Sequence, residues 1–539
     1  MKNKLVIVGD SVMFPNGAIS SERSRPIPGT IEVDRRSGLI TKVYRDQIKP
    51  RSFYRHNSDC LNPPRDYSEG EYDDIDYVQI PDGLITFPGL IDVHVHLNQP
   101  GRTDWEGFKS GTDAAASGGI TTLIDMPLNS IPPTTTVHNL NQKLESTKDL
   151  LRVDVGFWGG LIPGNRDDLI PLVRAGVKGF KCFLIDSGVD EFPKVGSEDL
   201  TASMGELEKV DSLLLFHAEL DCDNQPKNNV NLDGQSKQQM QQQQDDGDND
   251  PGLYLNFLKS RSSRSEVEAI SKLIDLNHQF PKLRTHIVHL SASDALPIIN
   301  KARSDGLLLS TETCLHYLTL SSETIPDRSP EFKCCPPIRS SKNQENLWKA
   351  LLNDEIDFIV SDHSPCETSL KLDHRMDLFK AWGGISGLGL GLSLIWEQGL
   401  KRRIEGLESR ILDWFCERPA KFVAMDGSKG KIQEGFQCDL CIFDPNHSFT
   451  VKETDLYFKN KISAYTGMHL TGRVIQTFLA GRMIFDLSGS RVKSFDSRSS
   501  RNCIEDTVGD QRSSVDPRGD VYELGPGFED DQRFGRALL

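Results

Sequence analysis

Short apolar runs recur along the middle of the chain and alternate with segments that are compatible with helices. Each run is rich in Val, Ile, Leu and Phe, the composition of a buried strand. There are eight such runs, at 89–96, 120–125, 153–158, 177–183, 212–217, 285–290, 307–311 and 357–362. Alternating strands and helices form parallel βα units, and eight units close into a barrel. The pattern therefore predicts an α/β fold with a (β/α)₈ TIM barrel over 89–421.

Both ends of the chain carry further strand-like runs outside the barrel. Three precede it and three follow it, separated by turns rich in Gly and Asn, at 4–8, 29–33, 40–43, 439–443, 472–479 and 482–485. Because these two sets flank the barrel, we predict that they pair with each other. Residues 1–88 and 422–487 would then form one small β-sandwich built from both chain ends.

Three segments lack the apolar residues of a folded core. Residues 45–79 are rich in Asp, Tyr, Pro and Arg, and thirteen of the 30 residues of 222–251 are Asn or Gln. Residues 488–539 are rich in Ser, Arg and Asp. These compositions are typical of disorder, so we expect a disordered insert, a low-complexity insert and a disordered tail. The insert at 222–251 follows the fifth barrel strand; we interpret it as a tolerated surface insertion, with a lid as the alternative.

The charge and the cysteines exclude several functional classes. Lys and Arg number 62 and Asp and Glu number 78, which gives a formal net charge of −16 and argues against nucleic acid or an anionic membrane as a partner. No apolar run reaches the roughly 18 residues of a spanning helix. The first residues are interpreted as a strand rather than a signal peptide. With eleven scattered cysteines, we expect reduced thiols and a cytoplasmic protein.

Five of the predicted barrel strands end in residues that can bind a metal ion. Active sites of such barrels lie at the carboxyl ends of the strands. The first strand ends in His94 and His96, which are two residues apart and therefore face the same way. The fifth ends in His217 and the eighth in Asp362, a residue type that can bind metal and also act as a base. Together they indicate a metal site far more strongly than any one does alone.

The fourth and sixth strands leave alternatives open. Lys181 interrupts an apolar run, where a bare ammonium group is costly to bury. It is either paired with an acid or carboxylated, and a carboxylated lysine could bridge two cations. On the sixth strand, His286 and His289 are three residues apart and face opposite sides. We choose His289 as the ligand because it lies nearer the end of the strand.

These strand-end residues resemble the ligand set of the binuclear amidohydrolase superfamily. Residues 92–97, which follow Phe-Pro-Gly at 87–89, and Ser-Asp-His at 361–363 resemble its cyclic amidase branch. That branch contains dihydroorotases, dihydropyrimidinases or hydantoinases, and allantoinases. The segments 417–421 and 430–435 resemble the return of that branch into its sandwich domain.

Within the branch, several segments are similar to the allantoinase group, namely 97–108, 180–193, 332–339 and 383–387. Two positions differ from the sibling groups. Asn98 stands where a dihydroorotase typically has Arg, and Asp186 stands where a dihydropyrimidinase typically has Tyr.

The resemblance implies a distorted barrel and a metal-dependent hydrolase. It implies two divalent ions, most simply Zn²⁺, and carboxylation of Lys181 by CO₂ to N6-carboxylysine, which both ions share. One ion would be held by His94, His96 and Asp362, and the other by His217 and His289. Asp362 would serve as catalytic base and then acid, and the substrate ring would be contacted by Asn129 and Ser364.

The implied reaction is hydrolysis of the hydantoin ring of allantoin to allantoate, a step of purine nitrogen catabolism. The resemblance also implies a homo-oligomer, with a homotetramer as the common case. One alternative is a hydantoinase or dihydropyrimidinase of broader substrate range. Another is a catalytically inactive structural relative, which the presence of all six ligands disfavours.

Overall fold

The computed structural model describes residues 2–15, 25–48, 75–222, 250–487, 513–515, 521–523 and 532–539. Its strands are β1 (Lys4–Val12), β2 (Ile27–Asp34), β3 (Leu39–Tyr44), β4 (Ile75–Gln79), β5 (Ile85–Pro88), β6 (Leu90–Val95), β7 (Ile120–Asp125), β8 (Asp154–Phe157), β9 (Gly159–Gly160), β10 (Phe180–Phe183), β11 (Leu213–His217), β12 (Arg284–Ile287), β13 (Leu309–Cys314), β14 (Phe358–Val360), β15 (Leu440–Thr450), β16 (His469–Leu479), β17 (Arg482–Asp486), β18 (Ser513–Val515), β19 (Val521–Glu523) and β20 (Ala537–Leu538).

The α-helices of the described residues mostly follow barrel strands. They run over Phe108–Ser117, Val137–Glu145, Arg166–Arg174, Ser197–Leu207, Tyr254–Ser260, Ser263–Asn277, Leu296–Ser304, Leu315–Thr319, Ser341–Leu352, Ser369–Leu372, Gly391–Lys401, Leu407–Leu412 and Arg418–Phe422. Within the described part of the chain, none of them is both long enough and apolar enough to cross a bilayer.

Strands β6 to β14 form the predicted (β/α)₈ barrel. Parallel pairs join β6, β7 and β8 on one side and β9 to β14 on the other. Strand β9 follows β8 after a single residue, Trp158, so the two sheets are continuous with each other in the barrel. The bridge between Val95 and His363 closes the ring between its first and last strands. Because helices and the barrel interior cover both faces, nearly every strand residue is buried, which explains the continuous apolar runs.

The sheet outside the barrel is built from both chain ends, as predicted. Strand β1 pairs with β2 along one edge, and along the other it pairs with β4 and then, at Val12, with β5. Strand β5 pairs in turn with β15, which continues through β16 to β17. Side chains from strands β1, β2, β15 and β16 pack together in an apolar core that includes Leu5, Ile31, Leu440 and Phe478. Pairing between β5 and β15 therefore holds the two ends of the chain together beside the barrel.

Parts of two segments that were predicted to be disordered have regular structure. Residues 75–79, placed in the insert at 45–79, form β4, where Ile, Tyr and Val alternate and pair with β1. The last residues of the predicted tail pair as β20 with β8, and Arg533 forms an ion pair with Asp113. The prediction of disorder is therefore wrong for 75–79 and 532–539. Residues 49–74 and 223–249, and most of 488–531, lie outside the described residues.

Candidate metal centre

The six predicted ligand residues meet at the carboxyl ends of the barrel strands. The Nε2 atom of His94 lies 3.1 Å from Oδ1 of Asp362, and Nε2 of His96 lies 3.5 Å from the same oxygen. The ring of His289 is centred 5.5 Å from that of His94 and 4.6 Å from that of His217. These contacts join strands β6, β11, β12 and β14 around one buried point.

Lys181 supplies the only amine of this cluster among the described residues. It is 1% exposed, on β10, and its Nζ atom lies 5.0 Å from the centre of the Phe183 ring. That ring in turn stacks on His217 at 4.6 Å. Burial lowers the pKa of Lys181 to about 8, even though Asp362 and Glu312 favour its charge. A fraction of the amine is therefore neutral, and nucleophilic, near neutral pH.

Several residues at this end of the barrel have left-handed backbone conformations. The φ angles are 40° at His289, 44° at Asp362, 66° at Asn129 and 63° at Asn98. Non-glycine residues adopt such angles at a cost of order 1–3 kcal/mol and hold them only where the surroundings enforce them. These residues follow strands β6, β7, β12 and β14, so the chain changes direction directly after each of these strands.

Glu312 also belongs to this cluster, although the strand-end pattern did not predict it. It lies on β13 with no exposed surface and contacts Nδ1 of His94 through Oε1. The same oxygen accepts from the backbone N–H of His289 at 3.3 Å, and Oε2 lies 3.1 Å from Nε2 of His286. A carboxylate on the far nitrogen of a metal-binding histidine fixes its tautomer and ring orientation. Its signal in the sequence is an acidic residue inside a barrel strand, two residues before the strand ends.

Glu219 contacts His217 in the way that Glu312 contacts His94. It is fully buried, and Oε2 lies 2.7 Å from Nε2 of His217 and accepts from Nη1 of Arg261 at 2.7 Å. This arrangement leaves Nδ1 of His217 for an ion. Each half of the centre therefore contains a histidine held from behind by a buried glutamate.

Burial and neighbouring charges shift the pKa values of the clustered residues in different directions. Burial alone would lower the pKa of His94, but Asp362 and Glu312 outweigh it and raise that pKa to about 9. Burial lowers the pKa of His96, His217 and His289, the last two strongly. Burial opposes ionisation of Asp362, yet the surrounding histidines hold its pKa well below the usual value. His96, His217 and His289 therefore favour the neutral imidazole and Asp362 the ionised carboxylate, the forms that bind metal ions, whereas His94 would have to lose its proton on binding one.

The two predicted substrate contacts lie beside this cluster. The amide nitrogen of Asn129 is 3.2 Å from Nδ1 of His96, and Arg102 donates to its backbone carbonyl at 2.8 Å. Its Oδ1 atom is buried and has no hydrogen-bond partner among the described residues. Ser364 follows Asp362 by two residues, and a Cβ at Gly384 would lie 2.4 Å from its carbonyl oxygen. Asn129 therefore contacts a predicted ligand directly, and Ser364 lies two residues from another in the chain, packed closely against Gly384.

Two buried acids tie the strand ends together beneath the site. Asp92 accepts from the backbone N–H groups of His94 and Ser361, which links β6 to the end of β14. Asp125 accepts from Leu97 at 2.8 Å and forms a fully buried ion pair with Lys143 at 2.7 Å. Backbone groups on either side of the histidine pair are thereby fixed from below.

The donor set of the cluster fits divalent cations. One ligand atom from each of His94, His96 and Asp362 lies within 4.8 Å of the other two, and all three residues are buried. Nδ1 of His289 has no hydrogen-bond partner within the described part of the chain. Imidazole and carboxylate are the ligands of catalytic zinc sites. The group His94, His96 and Asp362 could therefore hold a divalent ion, and His217 and His289 lie close to it.

Comparison with known proteins gives consistent findings. The model of the amidohydrolase family matches residues 85–484. An allantoinase from Saccharomyces cerevisiae is 46% identical over 400 residues, which cover 74% of this chain and 82% of the yeast protein. A probable allantoinase 2 from Dictyostelium discoideum is 42% identical over 476 residues, covering 84% and 90%. Among solved structures, an L-hydantoinase (dihydropyrimidinase) from Arthrobacter aurescens matches with a TM-score of 0.72 at 26% identity, covering 90% and 96%.

Proposed function

The chain belongs to the amidohydrolase family, and we propose that it hydrolyses the hydantoin ring of allantoin to give allantoate. The observation that carries this proposal is the 46% identity to the yeast allantoinase over most of both chains. All six residues that the cyclic amidase resemblance requires also converge at the mouth of the barrel. The reaction is one step in the breakdown of purine nitrogen.

The proposed cofactors are two Zn²⁺ ions for each chain. His94, His96 and Asp362 would hold one ion, and His217 and His289 the other. Carboxylated Lys181 would be shared between them, which its lowered pKa and its electrostatic interactions with Asp362, His217 and His289 support. A carbamate forms when a neutral amine attacks CO₂ and loses a proton, so a partly neutral, buried lysine is suited to it. When bound, the ions polarise the ring carbonyl and allow water to attack at neutral pH.

The chain's own residues then position the substrate and move the proton. Asp362 is ionised and lies at the centre of the cluster. It would take the proton of the attacking water and deliver it to the ring nitrogen as the amide C–N bond breaks, acting as base and then acid. Asn129 and Ser364 would contact polar atoms of the ring. Glu312 and Glu219 keep the histidine rings in fixed orientations throughout.

A substrate panel tests the proposal. Allantoin, hydantoin, dihydrouracil and dihydroorotate are compared by kcat/KM with the same zinc-loaded preparation. We expect allantoin to exceed each of the others by at least 10-fold. A preference for hydantoin or dihydrouracil would favour the alternative of a broader hydantoinase, to which the structural similarity points. No turnover of any substrate at full metal occupancy would favour an inactive relative.

Carboxylation of Lys181 has a separate test. Lys181→Ala should lose turnover and regain part of it when a short-chain carboxylic acid is added, because the acid can take the place of the carbamate. Full activity of Lys181→Ala without any added acid would refute the modification.

Location and assembly complete the proposal. We propose a cytoplasmic homo-oligomer, most simply a homotetramer, without nucleic acid or membrane partners. The free cysteines of the described residues support a reducing compartment. Subcellular fractionation and the mass of the purified particle in solution test these two statements.

A further inference from the structure

A second group of metal-type ligands shares Asp362 with the pair His94 and His96. Cys314 is the last residue of β13, and His316 lies in the following helix, Leu315–Thr319. One ligand atom each from Cys314, His316 and Asp362 lies within 4.8 Å of the other two. Neither Cys314 nor His316 has a place in the reaction proposed above.

The imidazole of His316 is the feature that points to a ligand. Its side chain has no exposed surface, and neither Nδ1 nor Nε2 has a hydrogen-bond partner among the described residues. Buried polar groups are nearly always hydrogen-bonded, so a fully buried imidazole with two unpartnered nitrogens calls for a specific explanation. Cys314 is equally buried and its thiol is free.

The donor atoms match a soft divalent ion. In a tetrahedral zinc site, bonds of about 2.3 Å to sulfur and about 2.0 Å to nitrogen place the ligand atoms roughly 3.5 Å apart. The three donor atoms lie within 4.8 Å of one another, so they would have to approach by at most about 1.3 Å to reach this spacing. A thiolate also favours Zn²⁺, Cd²⁺ or Co²⁺ over Mg²⁺ and Ca²⁺, which prefer oxygen ligands. The proposed catalytic set has no sulfur ligand, so the two positions differ in chemistry.

We propose that Cys314, His316 and Asp362 form an accessory site for a thiophilic divalent cation, filled when metal is in excess of the two catalytic ions. Asp362 would then share its two oxygens between a catalytic ion and the accessory ion. A carboxylate bound on both oxygens cannot carry a proton, so filling the accessory site should inhibit turnover. Because positioned proton transfer contributes about 10²- to 10⁴-fold to a rate, we expect at least 10-fold inhibition at saturation.

The test is a Co²⁺ titration of the enzyme that already contains two metal equivalents for each chain. Ligation by a thiolate gives a near-ultraviolet sulfur-to-cobalt charge-transfer band, which the sulfur-free catalytic set cannot give. We expect the band to rise with a third equivalent in the wild type and to be absent in Cys314→Ser. His316→Gln should shift the titration to at least 10-fold higher Co²⁺. Cys441→Ser, which removes a buried thiol on β15, should behave as the wild type.

The results that would overturn the proposal are equally specific. Binding that stops at two equivalents with no band in the wild type contradicts it, and so does a band that persists unchanged in Cys314→Ser. If Cys314→Ser fails to fold, His316→Gln decides, because a titration identical to the wild type refutes the site. Only inhibition by excess metal rests on the proposed function. A third equivalent with the charge-transfer band would stand even if allantoin were not the substrate.

Discussion

Glu312→Gln tests whether Glu312 orients the proposed metal-binding histidines without binding the metal itself. Oε1 of Glu312 contacts His94 and the backbone of His289, and Oε2 contacts His286. An amide oxygen at the Oε1 position can still accept from the first two groups. The amide nitrogen would then donate to Nε2 of His286, whose Nδ1 can donate to Ser310 at 2.7 Å. The substitution therefore keeps the geometry of the network and removes its charge.

The magnitude follows from the change in the hydrogen bonds. Hydrogen bonds to charged groups contribute about 1.5–3 kcal/mol and neutral ones about 0.5–1.5 kcal/mol, so two retained contacts lose about 2 kcal/mol together. A loss of 1.4 kcal/mol corresponds to a factor of ten. We therefore expect metal affinity or kcat/KM to fall by about 10- to 100-fold, as is usual when a carboxylate behind a metal-binding histidine is lost.

The assay measures zinc affinity by competition with a chromophoric chelator, together with kcat/KM for allantoin and the midpoint of thermal unfolding. Glu266→Gln is the matched control, since Glu266 is also buried but forms its ion pair with Arg339, at 2.6 Å, outside the ligand set. The control should lose stability and keep its zinc affinity. Wild-type zinc affinity and turnover in Glu312→Gln, or an equal loss of zinc in Glu266→Gln, would refute the positioning role.

Three further outcomes are expected. Asp362→Asn should lower kcat for allantoin by about 10²- to 10⁴-fold in a folded protein, because the amide cannot take a proton from water; retained turnover would exclude it as the base. Lys143→Met leaves Asp125 buried without its cation and should cost about 3–5 kcal/mol in urea unfolding, whereas Lys148→Met at an exposed ion pair should cost little. Burial lowers the pKa of Lys371 from 10.5 to about 8, so the unfolded chain binds more protons between these values and the free energy of unfolding should rise with pH there. Lys371→Met should lose that slope, and an unchanged slope would contradict the burial argument.

The sequence predicted the parts of the centre that local pattern determines. The apolar runs predicted where the barrel strands end, and the histidine, lysine and aspartate residues at those ends were the predicted metal ligands. Glu312 was missed because the predicted seventh strand stopped at 311, whereas β13 continues to Cys314. Its role also depends on His94, which is 218 residues away in the chain.

Long-range contacts account for the other differences. His286 is not one of the predicted ligands, yet it is buried and contacts Glu312, so both histidines of the sixth predicted strand contact one glutamate. The strand Ala537–Leu538 follows a polar segment, and among the described residues it pairs with β8 alone. The amino-acid composition of a short segment cannot predict such a pairing, because the partner strand belongs to a distant part of the chain.

The most direct test of the central claim is a zinc titration of the metal-free enzyme, followed by the rate of allantoate formation from allantoin. Metal-free protein should be inactive, and activity should rise to a plateau as two equivalents of zinc are bound for each chain. His94→Ala should abolish that rise, because it removes one of the proposed zinc ligands. Allantoin hydrolysis at full rate by the metal-free protein, or none with two zinc ions bound, would contradict the account.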